Sequence, residues 1–164
     1  MSTIHSLIQS MQFNRSRTLG LLDRVEKEPE PQGILGWRPG PGRAHIAWQL
    51  THVAITEELF ATERLAPDLK PNYTELIPRF KGGSTPDDNI PGAADIRSIL
   101  TESRARLLAT LGRFGDIDLG TIPEAFEERK LPLLDILHII VFHEAHHQGQ
   151  AHITLNLWKA ARTS

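Results

Sequence analysis

Apolar residues recur along this chain at the three- and four-residue spacing that gathers them on one side of an α-helix. Ile4, Leu7, Ile8, Met11, Thr18, Leu22 and Val25 form a first stripe, from about Thr3 to Val25, which dies in the charged, proline-broken run Glu26–Pro31. A proline- and glycine-rich loop, Gly33–Gly42, leads to a second pattern from about Ala44 to Leu65, stopped before Pro67. A third covers about Ala93 to Phe114 through Ile96, Ile99, Leu100, Leu107, Leu111 and Phe114. The fourth starts near Leu131 and runs to about Ala161, with Pro132 where a first-turn proline is well tolerated. No stretch alternates as a half-buried strand would. Four such stripes predict an all-α four-helix bundle filling one domain over residues 1–164. The connections after the second and third helices are long enough to allow parallel neighbours. Tyr73, Leu76, Ile77 and Phe80 predict that the segment from Pro67 to Pro91 packs over the body as a cover.

Composition narrows the function classes. A net charge of -2, with both signs interspersed, gives no basic patch for nucleic acid or an anionic membrane. The chain has no cysteine, so a thiolate metal ligand is excluded and a catalytic thiol would come from a cosubstrate. The N-terminus lacks the basic start and apolar run of a signal peptide. The longest apolar run, Ile136–Phe142, contains a histidine and is too short to span a bilayer. The expectation is a cytoplasmic protein.

Histidine carries the chemistry. Of eight in the chain, four fall in His143-Glu144-Ala145-His146-His147-Gln148-Gly149-Gln150-Ala151-His152. His143 and His147, four residues apart, stack on one helical face and can grip one divalent ion. At about 100° per residue, Ile136, Ile139, Ile140, Leu157 and Trp158 share their side, which predicts two imidazoles within a buried apolar stripe. An unpartnered buried imidazole is unfavourable. Metal ligation explains the pair, and core histidines satisfied by hydrogen bonds are the plainer alternative. His146 sits at the stripe's margin, while His138 and His152 point away. On the second helix, His45, Trp48, His52, Ile55, Thr56 and Leu59 share a face. There His52 is the natural third ligand and His45 a weaker pocket candidate. Three neutral imidazoles leave coordination positions open, as catalytic sites do. Nitrogen donors suit zinc, nickel, iron, copper or cobalt, with manganese also conceivable. Trp37, Arg38, Tyr73 and Phe80 are candidates to line or cover the pocket. Arg15 could face substrate or stand in solvent.

His143-Glu144-x-x-His147 also matches the H-E-x-x-H pattern of zinc proteases, in which the glutamate is the general base. The extended form fails by one residue, since Gly149 and His152 come too soon, and no strand precedes the helix to hold an extended peptide. A protease is the remote alternative.

Trp48-Gln49-Leu50-Thr51-His52, followed by His143-x-x-x-His147-x-Gly149-Gln150, resembles the DinB-like (YfiT-like) superfamily along the whole chain. The resemblance implies an up-down-down-up bundle with a metal held by His52, His143 and His147. His45, Trp48, Glu144 and His146 would then lie in the pocket or behind the ligands. The family often carries arginine where this chain has Gln148, and its use of the Glu144 position varies. Members with assigned activities are often S-transferases or isomerases that use a low-molecular-weight thiol. The resemblance therefore implies a metal-dependent transferase of that type, or a hydrolase, acting on a small molecule, with a homodimer as its assembly. The second expectation is a non-catalytic, dimerising metal-binding protein of the stress-response kind.

Overall fold

The computed structural model describes residues 2–162. Four long helices form its body: α1 (Thr3–Glu26), α3 (Ile46–Leu59), α5 (Ala93–Leu111) and α6 (Leu133–Arg162). Short helices α2 (Pro31–Gly36) and α4 (Ile77–Phe80) lie in segments that the sequence pattern reads as loops, each opened by a proline in its first turn. No strand occurs among the described residues.

Cross-helix bonds fix the topology. Asn14 and Arg15 on α1 reach Val141 and Glu144 on α6, and Arg24 further along meets His152, so α1 and α6 run parallel. Glu57 pairs with Arg104, and Ala61, just beyond α3, accepts a hydrogen bond from Thr110, so α3 and α5 are parallel as well. Gln49 and His52 face His147 and His143 in reversed order, making α3 and α6 antiparallel. The course is up-down-down-up, as the family resemblance implies.

Helix ends are held by specific groups. Ser2 caps α1 by accepting from the His5 amide, and Asp116 takes the Thr3 and Ile4 amides at 2.8 and 3.0 Å. At the start of α6, Leu133 and Leu134 donate to the carbonyls of Thr121 and Leu119.

The core has two large apolar clusters with charge between them and a third, small one of Trp48, Ile55, Leu59 and Phe80. One large cluster gathers Leu21, Leu22, Leu50, Ile96, Leu100, Leu155 and Trp158. The other large one gathers Ile4, Met11, Phe60, Leu107, Leu111, Ile136 and Ile140. Between them lie Arg15 of α1, Glu57 of α3, Arg104 of α5 and Glu144 of α6, each with at most 8% of its side chain exposed. Arg15 donates to Glu144 at 2.7 Å and to Glu57 at 2.8 Å. Arg104 donates to Glu144 at 2.5 Å and to both Glu57 oxygens, and its remaining amino group reaches the Met11 carbonyl at 2.6 Å. Two positive and two negative charges cancel, which is what makes burial tolerable. Arg15 is thus neither at the substrate nor in solvent. A signal for this was present: Met11, Arg15, Thr18 and Leu22 share one stripe, as do Leu100, Arg104, Leu107 and Leu111.

α3 is the central helix and is buried at every position from Ile46 to Leu59. Among its polar residues Gln49, His52, Glu57 and Glu58 each have a partner, while the Thr51 hydroxyl and the second Glu58 oxygen are left without a hydrogen bond.

Candidate metal centre

His52 projects from the middle of α3 toward α6, where His143 and His147 stand one turn apart. Each ring offers one nitrogen to a common point, and these nitrogens lie within 4.8 Å of one another. His52 Nε2 and His143 Nε2 are 3.0 Å apart. Two imidazoles bound tetrahedrally to one ion, at roughly 2.1 Å each, would place their nitrogens about 3.4 Å apart, so this pair already sits close to ligand spacing.

The other face of two rings is already spoken for. His52 Nδ1 lies 2.6 Å from the Phe80 carbonyl, which can only accept, so Nδ1 carries the proton and Nε2 keeps its lone pair. His147 Nδ1 likewise donates to Gln49 Oε1, leaving its Nε2 free. Outer hydrogen bonds of this kind fix the tautomer and orientation that a ligand needs. The Trp48 indole stacks on His52, with centroids 4.6 Å apart and planes 10° from parallel, and so holds the ring's azimuth. Trp48 is in turn tied by its Nε1–H to the Arg79 carbonyl at 3.2 Å. Burial, the largest of its causes, holds His52 below the usual imidazole range. Burial, then the neighbouring imidazoles, push His143 down to about 4 and His147 down to about 3. All three are neutral at pH 7 and available as donors.

The other sequence candidates sort themselves by contact. Phe80 is buried, and the loop from 67 to 91 does cover the site, through this residue's backbone carbonyl. His45 is not in the pocket: it caps α3, accepting from the Trp48 amide at Nδ1 and donating from Nε2 to the Asp87 carbonyl, both at 3.0 Å. His146 is exposed, stacked on Phe142 and bonded to Gln150, and meets His147 edge-on without pointing at the common site. Glu144 stands behind the histidines, 1% exposed, with both oxygens occupied by Arg15 and Arg104. It cannot approach a water at the histidines, which removes the base that a protease reading requires. Arg38 pairs with the exposed Asp88, Trp37 packs on the apolar cluster of Leu21, Leu50 and Trp158, and Tyr73 donates to Glu102.

The centre of α6's buried stripe also differs from the expected one. Leu133, Ile136, Leu137, Ile140, Glu144, Ala151, Leu155 and Trp158 are buried, whereas Ile139 and Leu157 are 43% and 46% exposed. His143 and His147 therefore lie at the edge of the stripe, half-buried.

A family model for the DinB superfamily matches residues 10–151. The chain belongs to the DinB superfamily. No curated protein matches it. The match covers α3 and α5 whole and most of α1 and α6 of this DinB protein, including all three histidines of the triad. Sequence reasoning missed Gln49 and the Phe80 carbonyl as the groups that orient the rings. Gln49 was detectable as an amide three residues before His52, and the carbonyl bears no side-chain signature at all.

Proposed function

We propose that this DinB protein binds a divalent metal through His52, His143 and His147 and uses it in transfer or hydrolysis on a small molecule, with a low-molecular-weight thiol as the favoured cosubstrate. The observation that carries the reading is the convergence of three neutral imidazoles from two helices, two of them already oriented from behind by Phe80 and Gln49. An aliphatic core needs no such arrangement, and an all-nitrogen donor set suits zinc or nickel, with iron, copper, cobalt and manganese as further candidates. An ion there would supply Lewis acidity, lowering the pKa of a thiol or water that it binds. The protein's part is to keep the three rings deprotonated by burial and to hold the tautomers of His52 and His147. The absence of cysteine from the chain is consistent with an external thiol.

The test is consumption of thiol with an electrophile such as monochlorobimane, with and without chelator, alongside metal analysis of His52→Ala and His147→Ala. Stoichiometric metal in wild type, its loss in both variants, and chelator-sensitive turnover support the reading. Metal retained by both variants refutes the ligand set, and the absence of turnover across several thiols refutes the transferase.

One observation favours the second reading, a dimerising metal-binding protein. Ile139, Phe142, Ile153 and Leu157 leave an exposed apolar stripe along α6, with Phe142 and Ile153 at 66% and 62% exposure. A homodimer through this face fits it, and the dimer is compatible with either function. No described helix is long and apolar enough to cross a membrane.

A further inference from the structure

The segment that covers the triad is docked on α3 through ring N–H groups. His45, Trp48 and His52 share one face of the helix, and each donates to a backbone carbonyl of that segment: His45 Nε2–H to Asp87 at 3.0 Å, Trp48 Nε1–H to Arg79 at 3.2 Å and His52 Nδ1–H to Phe80 at 2.6 Å. The stretch has little regular structure of its own. From Gly82 to Pro91 its one backbone-to-backbone hydrogen bond is the Ser84 amide to the Lys81 carbonyl. The Phe80 ring is anchored in the apolar cluster with Trp48, Ile55 and Leu59, which fixes the residue but not the plane of the peptide that follows it. α4 ends at Phe80, and Lys81 turns to extended backbone (φ -66°, ψ 161°). The Phe80 carbonyl therefore stays aimed at His52 only if the chain beyond it is held.

Asp87 holds it. Its carboxylate takes the Arg79 guanidinium in a two-pronged pair, Oδ2 accepting from Nε at 2.8 Å and Oδ1 from Nη2 at 2.9 Å. Oδ1 also accepts from the Asn89 amide at 3.0 Å, and Arg79 Nη2 donates to the Asn89 carbonyl at 2.5 Å. The same guanidinium lies over the Phe80 ring, 4.8 Å from its centroid. The Asp87 carbonyl accepts from Arg38 at 2.8 Å as well as from His45. The chain thus leaves α4 at Phe80, turns back, and closes on the residue just before the carbonyl that His52 uses. The Arg79 and Asp87 side chains are 26% and 44% exposed, and an ion pair in so wet a place contributes little to fold stability. What two parallel hydrogen bonds do supply is a fixed relative orientation of the two backbone stretches that carry them.

We propose that Asp87 is a positioning residue of the metal centre: by gripping Arg79 it keeps the Phe80 carbonyl on His52 Nδ1–H, and so keeps the His52 Nε2 lone pair available to the ion. The dependence runs from Asp87 through Arg79 and the Phe80 carbonyl to His52. With the clamp gone, the carbonyl can turn away, and the His52 proton is free to sit on either ring nitrogen. The form that carries it on Nε2 has no lone pair there to give. The inference rests on the metal reading above and adds a residue, remote from the ligands, that sets their affinity.

The experiment measures zinc affinity by competition with a chromogenic chelator, together with the melting temperature of the metal-free protein and the His52 tautomer from nitrogen NMR of its ring. Asp87→Ala and Arg79→Met should each weaken zinc binding about tenfold, at the low end of what groups behind a metal ligand contribute. The double variant should lose no more than either single one, because both break the same clamp. Asp87→Glu, which keeps a carboxylate for Arg79, should retain most of the affinity. Arg97→Met, which removes an exposed ion-pair cluster between α1 and α5, should leave it unchanged. In metal-free Asp87→Ala, His52 should pass from one tautomer to a mixture, with the melting temperature lowered by no more than about 4 °C. Wild type that binds no zinc overturns the metal reading and this inference with it. Wild type that binds zinc while Asp87→Ala binds it equally well, or keeps a single His52 tautomer, overturns the role of Asp87 alone. So does an affinity loss that comes with a fall of about 10 °C or more in melting temperature, since it belongs to the fold. Should Asp87→Ala not fold, Asp87→Asn, which keeps an acceptor for Asn89 and one for Arg79, should still lose affinity, and an unchanged value there overturns the proposal.

Discussion

Replacing Arg104 with methionine is the sharpest perturbation of this fold. Its guanidinium is bonded to Glu57, Glu144 and the Met11 carbonyl, and 7% of its side chain is exposed. Without it, two buried carboxylates share the single positive charge of Arg15, and the Met11 carbonyl loses its donor. Breaking a buried ion pair from one side costs about 3–5 kcal/mol, because the remaining charge stays desolvated. A domain's whole stability is about 5–15 kcal/mol. For a chain of this size, about 2–4 °C of melting temperature accompanies each kcal/mol, so Arg104→Met should melt about 6–20 °C lower. Adding Glu144→Gln restores charge balance to the remaining Arg15–Glu57 pair. The double variant should therefore be more stable than the sum of the two single losses implies, by about 1–3 kcal/mol. Urea unfolding of the metal-free wild type, both single variants and the double variant gives all four corners of the cycle. A single-variant loss below about 1 kcal/mol, or strictly additive losses, would show that the four charges do not act as one neutral unit.

Two further outcomes concern the triad. Gln49→Leu removes the acceptor that orients His147 and should weaken metal binding about 10- to 100-fold, measured by competition with a chromogenic chelator; unchanged affinity would deny Gln49 that role. Metal-free protein should lose stability as pH falls. His143 and His147 titrate near 4 and 3 when folded but near 6.5 when unfolded, so below about pH 6.5 the unfolded chain binds protons that the folded chain refuses. The loss runs from about pH 6.5 down toward 4 for His143 and toward 3 for His147, at up to about 1.4 kcal/mol per pH unit for each, and vanishes above neutrality. Urea midpoints across that range should flatten in a His143→Asn/His147→Asn double variant; the same slope in both proteins would assign the effect elsewhere.

The sequence by itself determined the number of long helices and most of their ends, because an amphipathic stripe is a local, periodic property and proline marks its limits. It also singled out His143 and His147, since four-residue spacing on a helix dictates adjacency without any knowledge of neighbours. For His52 it offered a mid-helix imidazole with no apolar purpose, and the resemblance to the DinB family named it as a ligand. Azimuth was less legible. The stripe centred on His143 by counting apolar residues is rotated in the fold, leaving Ile139 and Leu157 in solvent and putting Glu144 at the core. A charged residue scores as an outside position in any local count; only opposite charges arriving from two other helices make its burial affordable. That is why Arg15, Glu57, Arg104 and Glu144, far apart in sequence, become one buried cluster. The same holds around the triad. Phe80 orients His52 through a backbone carbonyl, and the π turn at Phe60–Arg64 is written in no motif. Hydrogen bonds and helix phase depend on where distant segments come to rest, which only the tertiary structure decides.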